Sequence, residues 1–281
     1  MQSRRFIQCD VFSPIPTRGN ALAVVVDGED IPDDQMQRFA AWTNLAETTF
    51  LLPPSDPVAD YRVRIFTPTL EMPFAGHPTL GSCAAWLHCG GVPRGSGVVR
   101  QECRVGIVEI DTAQPDHLAF RAPPTRIQPM DAARLAAIVE TLGIPRDAVL
   151  HAAHLDNGPA WQALQMDSAA RVLAVDSSLI HGVPGRAIGL IGAYPAGAEC
   201  DYEVRMLDAG DGMIEDPITG SLNAALAHWM RAGGRLPGPV TVAQGTAIGR
   251  HGRVSIRPVD GGDGIMVGGQ THILIQGTVF A

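Results

Sequence analysis

The stretch HPTLGSCAAWL at residues 77–87 returns as DPITGSLNAAL at residues 216–226. The two stretches lie 139 residues apart, close to half of the 281-residue chain. In the same register, Gly19 falls on Gly158. A single short match arises easily by chance, but matches that keep their order along the chain predict an internal duplication.

Each of the two stretches has the pattern of a helix start. Proline, here Pro78 and Pro217, is favoured at the first position of a helix because its missing N–H costs nothing there. Asp216 is a good N-cap just before Pro217, whereas His77 is a less usual residue at the matching place. Both predicted helices are apolar nearly all round, which is typical of a buried helix. We therefore predict one buried central helix in each half.

The succession of segments predicts an α+β fold with two pseudo-repeated halves. Short stretches rich in β-branched and aromatic residues flank both central helices and predict strands. The first half is predicted at 1–122 with its central helix at about 78–89, and the second at 123–281 with its central helix at about 217–232. In each half the strands are expected to form a β-sheet wrapped around the central helix. The final strand, near 272–279, is also a candidate for packing on the first half.

The composition is typical of a soluble protein with an acidic surface. Hydrophobic residues make up 46% of the chain, which is enough for a sizeable core. The formal net charge of −8 argues against nucleic acid or an anionic membrane as the main partner. No apolar segment is long enough for a signal peptide or a membrane span, so we predict a cytoplasmic protein.

The cysteines and histidines form no recognisable ligand or disulfide pattern. The five cysteines are odd in number, no two are spaced as CxxC, and the nine histidines form no HExxH motif. We therefore predict reduced thiols and no metal site.

The first turns of the two predicted helices offer unpaired backbone N–H groups, which favour anions. If the halves pack about a pseudo-twofold axis, both helix starts face one cleft. Such a cleft would hold a small carboxylate and stabilise an enolate-like charge. The other interpretation is that both starts are ordinary caps in a duplicated scaffold. The residues alone leave these two interpretations open.

The most informative carboxylate is Glu47, in the stretch NLAETTF at residues 44–50. It stands at a predicted helix-to-strand junction before an apolar run, where we expect partial burial. Burial raises the pKa of a carboxyl group, which suits a general acid/base. A lone junction glutamate more commonly caps backbone or pairs with an arginine, and that reading also stays open. At the same offset the second half has Arg186, so a one-base proton shift is favoured over a two-base racemase.

The chain resembles the PhzF-type phenazine-biosynthesis isomerase family, a branch of the diaminopimelate-epimerase-like fold. The motifs that carry the resemblance span nearly the whole chain. They are DVF at 10–12, GN at 19–20, NLAETTF at 44–50, RIFTP at 64–68, PFAGHPTLG at 73–81, NGP at 157–159, EDPITGS at 215–221 and QG at 244–245.

The resemblance implies an enzyme that moves a proton within trans-2,3-dihydro-3-hydroxyanthranilate or a similar small anionic metabolite. It implies catalysis without a metal or organic cofactor, and assembly as a homodimer. Glu47 would be the acid/base, and His77 and Asp216 would line the cleft from opposite helix starts as further catalytic residues. The implied substrate-binding residues are Gly76, Gly220, Ser221 and Asn20.

Two other functions remain compatible with these residues. One is a racemase or epimerase of an amino or hydroxy acid that uses Glu47 and a second base. The other is a metabolite-binding protein that retains the cleft but is catalytically silent.

Overall fold

The computed structural model describes residues 2–183, 185, 187–210, 214–259 and 261–281. The chain divides into two compact units, one of Met1–Arg121 with Gly268–Ala281 and one of Ala122–Val267. The second unit therefore ends at Val267, and the final strand of the predicted half 123–281 packs on the first unit, as the sequence analysis had allowed. The reason is strand pairing, because the C-terminal strand runs antiparallel along the N-terminal strand, from Ser3 opposite Phe280 to Val11 opposite Thr271.

The described residues of the first unit form nine strands, which are joined in one mixed sheet. They are β1 (Ser3–Val11), β2 (Asn20–Val25), β3 (Glu47–Leu52), β4 (Tyr61–Phe66), β5 (Glu71–Met72), β6 (Val98–Cys103), β7 (Gly106–Asp111), β8 (Leu118–Arg121) and β18 (Thr271–Phe280). Strand β2 pairs antiparallel with β1 and parallel with β3, β3 pairs antiparallel with β4, and β4 pairs parallel with β6. This order places the first residue of β3, Glu47, beside Leu22 of β2.

The central helix of the first unit is α2 (Gly76–His88), and α1 (Asp33–Thr43) lies outside it. Every residue of α2 from Gly76 to Cys83 is buried, in line with the predicted apolar helix. The helix contacts β1, β2, β3, β8 and β18. It begins two residues before the predicted start at 78, because Ala75 is the extended residue that precedes the first turn.

The second unit repeats this succession of elements. Its strands are β9 (Arg126–Pro129), β10 (Val149–Asp156), β11 (Ala160–Met166), β12 (Ile188–Ala193), β13 (Tyr202–Leu207), β14 (Glu215–Asp216), β15 (Val240–Gln244), β16 (Gly252–Pro258) and β17 (Ile265–Gly269), which runs two residues past the boundary. Its helices are α3 (Ala132–Thr141), α4 (Ala169–Leu173) and α5 (Gly220–Ala232). Strand β11 is parallel to β12, β12 antiparallel to β13, and β13 parallel to β15, as β2, β3, β4 and β6 are in the first unit.

The predicted helix start at Pro217 and the predicted N-cap Asp216 are both wrong for the central helix α5. Asp216 lies in strand β14 opposite Met206, and the helix begins four residues later at Gly220, with Thr219 as its N-cap. The structure therefore pairs EMPFAGH at 71–77 with EDPITGS at 215–221, a separation of 144 residues and not 139. Short differences in loop length between the units shift the register, which a single fixed offset does not capture.

The outer helix α3 carries much of the second unit's hydrophobic core. Its N-cap Asp131 accepts a hydrogen bond from the backbone N–H of Arg134 at 2.7 Å, which satisfies one of the unpaired donors at the helix start. The buried face of α3, with Leu135 and Ile138, packs against Leu164 and Met166 of β11. This helix covers one face of the sheet.

All five cysteines are free. Burial raises the pKa of the Cys9 thiol to about 12 and that of Cys83 still further. Because the thiolate is the reactive form, these two thiols are inert near neutral pH.

No helix in the described part of the chain is both long enough and apolar enough to cross a membrane.

Candidate active site

Glu47 and His77 meet in the first unit. Glu47 is the first residue of β3, and His77 is the second residue of α2. The Glu47 side chain is 16% exposed, which agrees with the expected partial burial, and its Oε2 lies 3.4 Å from Nε2 of His77. A helix start and a strand start, 30 residues apart in sequence, thus place a carboxylate against an imidazole.

The His77 ring is neutral at ordinary pH. Burial lowers its pKa to about 3, and a backbone hydrogen bond with Ala21 offsets only part of that effect. The Asn20 amide nitrogen lies 3.3 Å from Nδ1. Nδ1 is therefore the ring nitrogen that contacts polar groups of the protein, and Nε2 faces Glu47. The contact with Glu47 is that of a neutral imidazole with a carboxyl group, and it is not a salt bridge.

The His77 Nε2 atom is poorly satisfied by the protein. The 3.4 Å separation from Glu47 exceeds an ordinary N–H···O hydrogen bond, and Nε2 makes no hydrogen bond within the described residues. A buried polar atom in this state is costly. A polar group of a substrate that formed a hydrogen bond with Nε2 would remove the cost.

The low pKa of His77 predicts a pH-dependent stability. An unfolded histidine takes up a proton near pH 6.5, but the folded one does so only near pH 3. Between these values the unfolded state binds more protons, so the wild-type free energy of unfolding falls as pH drops. Relative to His77→Gln, we expect wild type to lose up to about 1.4 kcal/mol per pH unit below pH 6. Urea unfolding at several pH values from 6.5 to 4 measures this, and parallel curves for the two proteins would contradict it.

The loop before β2 holds Asn20 in place. The Gly19 N–H donates to the carboxylate of the buried Asp10 at 2.9 Å. A Cβ on Gly19 would lie 2.3 Å from the carbonyl oxygen of Val11, so a side chain does not fit there. The DVF and GN motifs therefore have a shared structural reason, because they close this loop and set the Asn20 amide beside His77.

The start of α2 has no side-chain cap. The helices α3 and α4 differ, because Asp131 and Ser168 cap them through their side chains. The first-turn N–H groups of Gly76 and His77 have no intrahelical partner. An uncapped, buried helix start attracts an anion, since its dipole and donors favour negative charge.

The second unit presents a similar uncapped helix start at α5. Asp216 Oδ2 accepts a hydrogen bond from Oγ1 of Thr219 at 2.5 Å. Gln244 donates from Nε2 to the same hydroxyl at 3.0 Å and accepts the Thr219 backbone N–H at Oε1, also at 3.0 Å. These contacts fix the residue that precedes Gly220.

Ser221 is buried in the first turn of α5. Its carbonyl oxygen accepts from Nδ2 of Asn157 at 2.8 Å, and Trp161 donates from Nε1 to Oδ1 of the same asparagine at 3.1 Å. Asn157 belongs to the NGP motif, and no role was predicted for it. Its two hydrogen bonds connect the loop after β10 to the start of α5.

A glutamine supports each central helix, and neither was predicted to do so. In the first unit Gln101 donates to Thr79 at 3.2 Å and accepts from the Tyr61 hydroxyl at 2.8 Å. In the second unit Gln244 accepts from Asn223 at 2.8 Å. These five residues are buried, whereas Asp216, which belongs to the second network, is half-buried. Each helix start thus rests on a polar network.

An arginine–glutamate pair also recurs in the two units. Arg64 and Glu71 join β4 to β5 through a bidentate contact with distances of 2.9 and 2.8 Å. Arg205 and Glu215 do the same between β13 and β14, at 3.1 and 2.7 Å. In both units the glutamate stands five residues before the first glycine of the central helix, so the pair fixes the approach to the helix start.

The predicted site residues fall into two groups. Glu47, His77 and Asn20 come together in the first unit, with Gly76 at the same helix start. In the second unit Gly220 and Ser221 open α5, and Asp216 binds the residue before them.

The architecture of the chain is that of the PhzF class of α+β proteins. A crystal structure of the Bacillus anthracis phenazine biosynthesis protein of the PhzF family matches with a TM-score of 0.83 over 100% of both chains, at 21% identity. The family model described as phenazine biosynthesis-like protein matches residues 9–278, and the chain belongs to this family. The predicted resemblance is thereby confirmed.

Two curated relatives are similar over most of their length. The chain is 32% identical over 296 residues to antisense-enhancing sequence 1 of Schizosaccharomyces pombe, covering 100% of both. It is 32% identical over 251 residues to trans-2,3-dihydro-3-hydroxyanthranilate isomerase of Pseudomonas fluorescens, covering 87% of each.

Proposed function

We propose that this chain is an isomerase that moves a proton on a small carboxylate-bearing substrate, with Glu47 as the acid/base. The observation that carries the proposal is the contact of the partly buried Glu47 carboxyl group with the neutral, buried imidazole of His77. The isomerase names of relatives about 30% identical support the reaction class. That this chain acts on the substrate named for those relatives is part of the proposal.

The proposed reaction is a suprafacial proton shift. The Glu47 carboxylate takes a proton from one carbon of the substrate, and the resulting carboxylic acid, which exchanges its proton with solvent, protonates another carbon on the same face. The electron pair left by the first step is carried by the substrate's conjugated system, so no electrons leave it. A positioned acid/base of this kind contributes a factor of roughly 10²–10⁴ to the rate.

His77 acts in this scheme as a neutral hydrogen-bonding group. A ring with a pKa of about 3 holds no second proton to give at neutral pH. Its Nε2 instead forms a hydrogen bond with a polar group of the substrate and helps to position it beside Glu47. The N–H groups of Gly76 and His77 at the uncapped α2 start, with the Asn20 amide, bind the substrate carboxylate or its polar neighbours.

For the second unit we propose that Gly220 and Ser221 supply further donors to the substrate. The hydrogen bond from Thr219 to Asp216 favours a positioning role for Asp216, since it fixes the residue before α5. We also propose that the reaction needs no metal or organic cofactor. The homodimer and the cytoplasmic location remain predictions.

The strand starts favour a one-base reaction over a two-base racemase. Glu47 opens β3, which runs parallel to β2, and Ile188 opens β12, which runs parallel to β11. The counterpart of the acid/base is therefore a buried apolar side chain. Arg186, the residue at the predicted offset, lies outside the described residues.

Solvent-deuterium incorporation tests the proposal. The protein is incubated in D₂O with trans-2,3-dihydro-3-hydroxyanthranilate and with a panel of small unsaturated carboxylates, and mass spectrometry follows the label. We expect a shifted double bond with deuterium at the newly protonated carbon of at least one compound. Inversion of a stereocentre without a bond shift would favour the epimerase alternative. Saturable binding without exchange would favour the silent binding protein.

A further inference from the structure

The second unit contains a cavity of about 560 Å³ away from the helix start at α5. Its lining combines apolar surface with several polar and charged side chains, and it draws on three neighbouring strands and on α3. The main side chains are Arg126 and Gln128 from β9, His154 and Asp156 from β10, Gln162 from β11 and Arg134 from α3. The volume is in the range of pockets that hold small metabolites.

Strand alternation places this cavity on the α3 side of the sheet. Gln162 has the same parity along β11 as Leu164 and Met166, which pack against α3. His154 lies opposite Gln162 on one side and Gln128 on the other. The same face thus changes from a hydrophobic core under α3 to a polar floor at the start of that helix.

Arg134 is held in a fixed position in the cavity wall. Its Nε donates to Oε1 of Gln162 at 2.5 Å, and Gln162 is only 7% exposed. Gly185 approaches the guanidinium so closely that a Cβ there would lie 2.3 Å from Nη2, and its φ of +76° suits glycine. A buried amide and a tight backbone contact therefore pre-organise this cation.

The cavity carries an excess of positive charge. Arg126 forms an ion pair with Asp156 at 2.6 Å, on the solvent-exposed side. Within the described residues Arg134 has no carboxylate partner within 4 Å. A guanidinium that is held in place and has no carboxylate partner can bind a planar or tetrahedral oxyanion through two parallel hydrogen bonds. The protein as a whole is acidic, so this charge is local.

We propose that this cavity is a second ligand site, which binds a small metabolite through its carboxylate or phosphate group on Arg134. Gln128, His154 and Gln162 offer further polar contacts on the floor, and Ala160 and Ala187 also line the cavity. The site lies within the second unit and does not depend on Glu47.

Isothermal titration of the full chain with inorganic phosphate and with citrate tests this site. We expect saturable binding, and the tighter probe identifies the preferred oxyanion. Arg134→Gln should weaken that binding by at least about tenfold, and Arg134→Lys should weaken it less, because the lysine keeps the charge but not the fork. Arg171→Gln on α4 is the matched control and should bind like wild type.

Two results would overturn the site. One is no saturable binding of either probe to wild type at millimolar concentration. The other is binding by folded Arg134→Gln, checked by circular dichroism, that equals binding by wild type.

Discussion

We expect Glu47→Gln to lower the rate of deuterium incorporation by a factor of about 10²–10⁴. Glutamine keeps the size and hydrogen-bonding oxygen of the side chain but cannot accept or deliver a proton. The neutral His77 beside it cannot replace the lost group, because its pKa of about 3 leaves it without a transferable second proton. Mass spectrometry of the substrate after incubation in D₂O measures the effect.

The control for this variant is Glu109→Gln, in β7 of the same unit. Glu109 is exposed and faces Arg100 at 3.4 Å, so its loss should leave the exchange rate unchanged. Substrate-induced thermal stabilisation should persist in Glu47→Gln, since the donors at the α2 start remain. Exchange at the wild-type rate in Glu47→Gln would remove Glu47 from the mechanism and leave the fold assignment untouched.

We expect Arg205→Met to lower the free energy of unfolding by about 3–5 kcal/mol. Arg205 and Glu215 are each 3% exposed. The guanidinium also donates to the carbonyl oxygens of Val172 and Val175, at 3.2 and 2.6 Å. Removing it leaves a buried carboxylate and two buried carbonyl groups without their partner, which is the expensive way to break a buried pair. Urea denaturation followed by circular dichroism measures the change.

Arg171→Met provides the comparison. Arg171 pairs with Asp167 at 3.9 Å, and the two side chains are 50% and 41% exposed, so its loss should cost under about 1 kcal/mol. The double variant Arg205→Met with Glu215→Leu should recover part of the lost stability, because it removes the unpaired charge. Equal effects of Arg205→Met and Arg171→Met would show that the buried pair does not stabilise the second unit.

The pairs Arg64–Glu71 and Arg205–Glu215 show which features of the site could not be predicted from the sequence. The partners of Arg64 and Arg205 were not predicted, because Glu71 and Glu215 each reach them across a strand pair that only the fold creates. The same holds for Gln101 and Gln244, whose buried contacts join a strand to a helix start.

The assignment of Asp216 shows a second limit. A good N-cap residue before a proline is a sound local signal for a helix start. In this chain strand pairing with Met206 outweighs the signal and delays the helix until Gly220. The local preference is worth about 1 kcal/mol, which pairing and burial in a sheet readily exceed.

The sequence by itself determined the internal duplication, the two buried central helices and the candidate acid/base Glu47. These are encoded locally, in the spacing of apolar residues, in a repeated motif and in a carboxylate at a junction. Only the tertiary structure decided that Glu47 faces a neutral His77, that Asp216 binds the residue before α5 and that Arg134 lies in a cavity wall against Gln162. Those facts depend on distances between residues far apart in the chain and on their burial, which sets the protonation of His77 through desolvation.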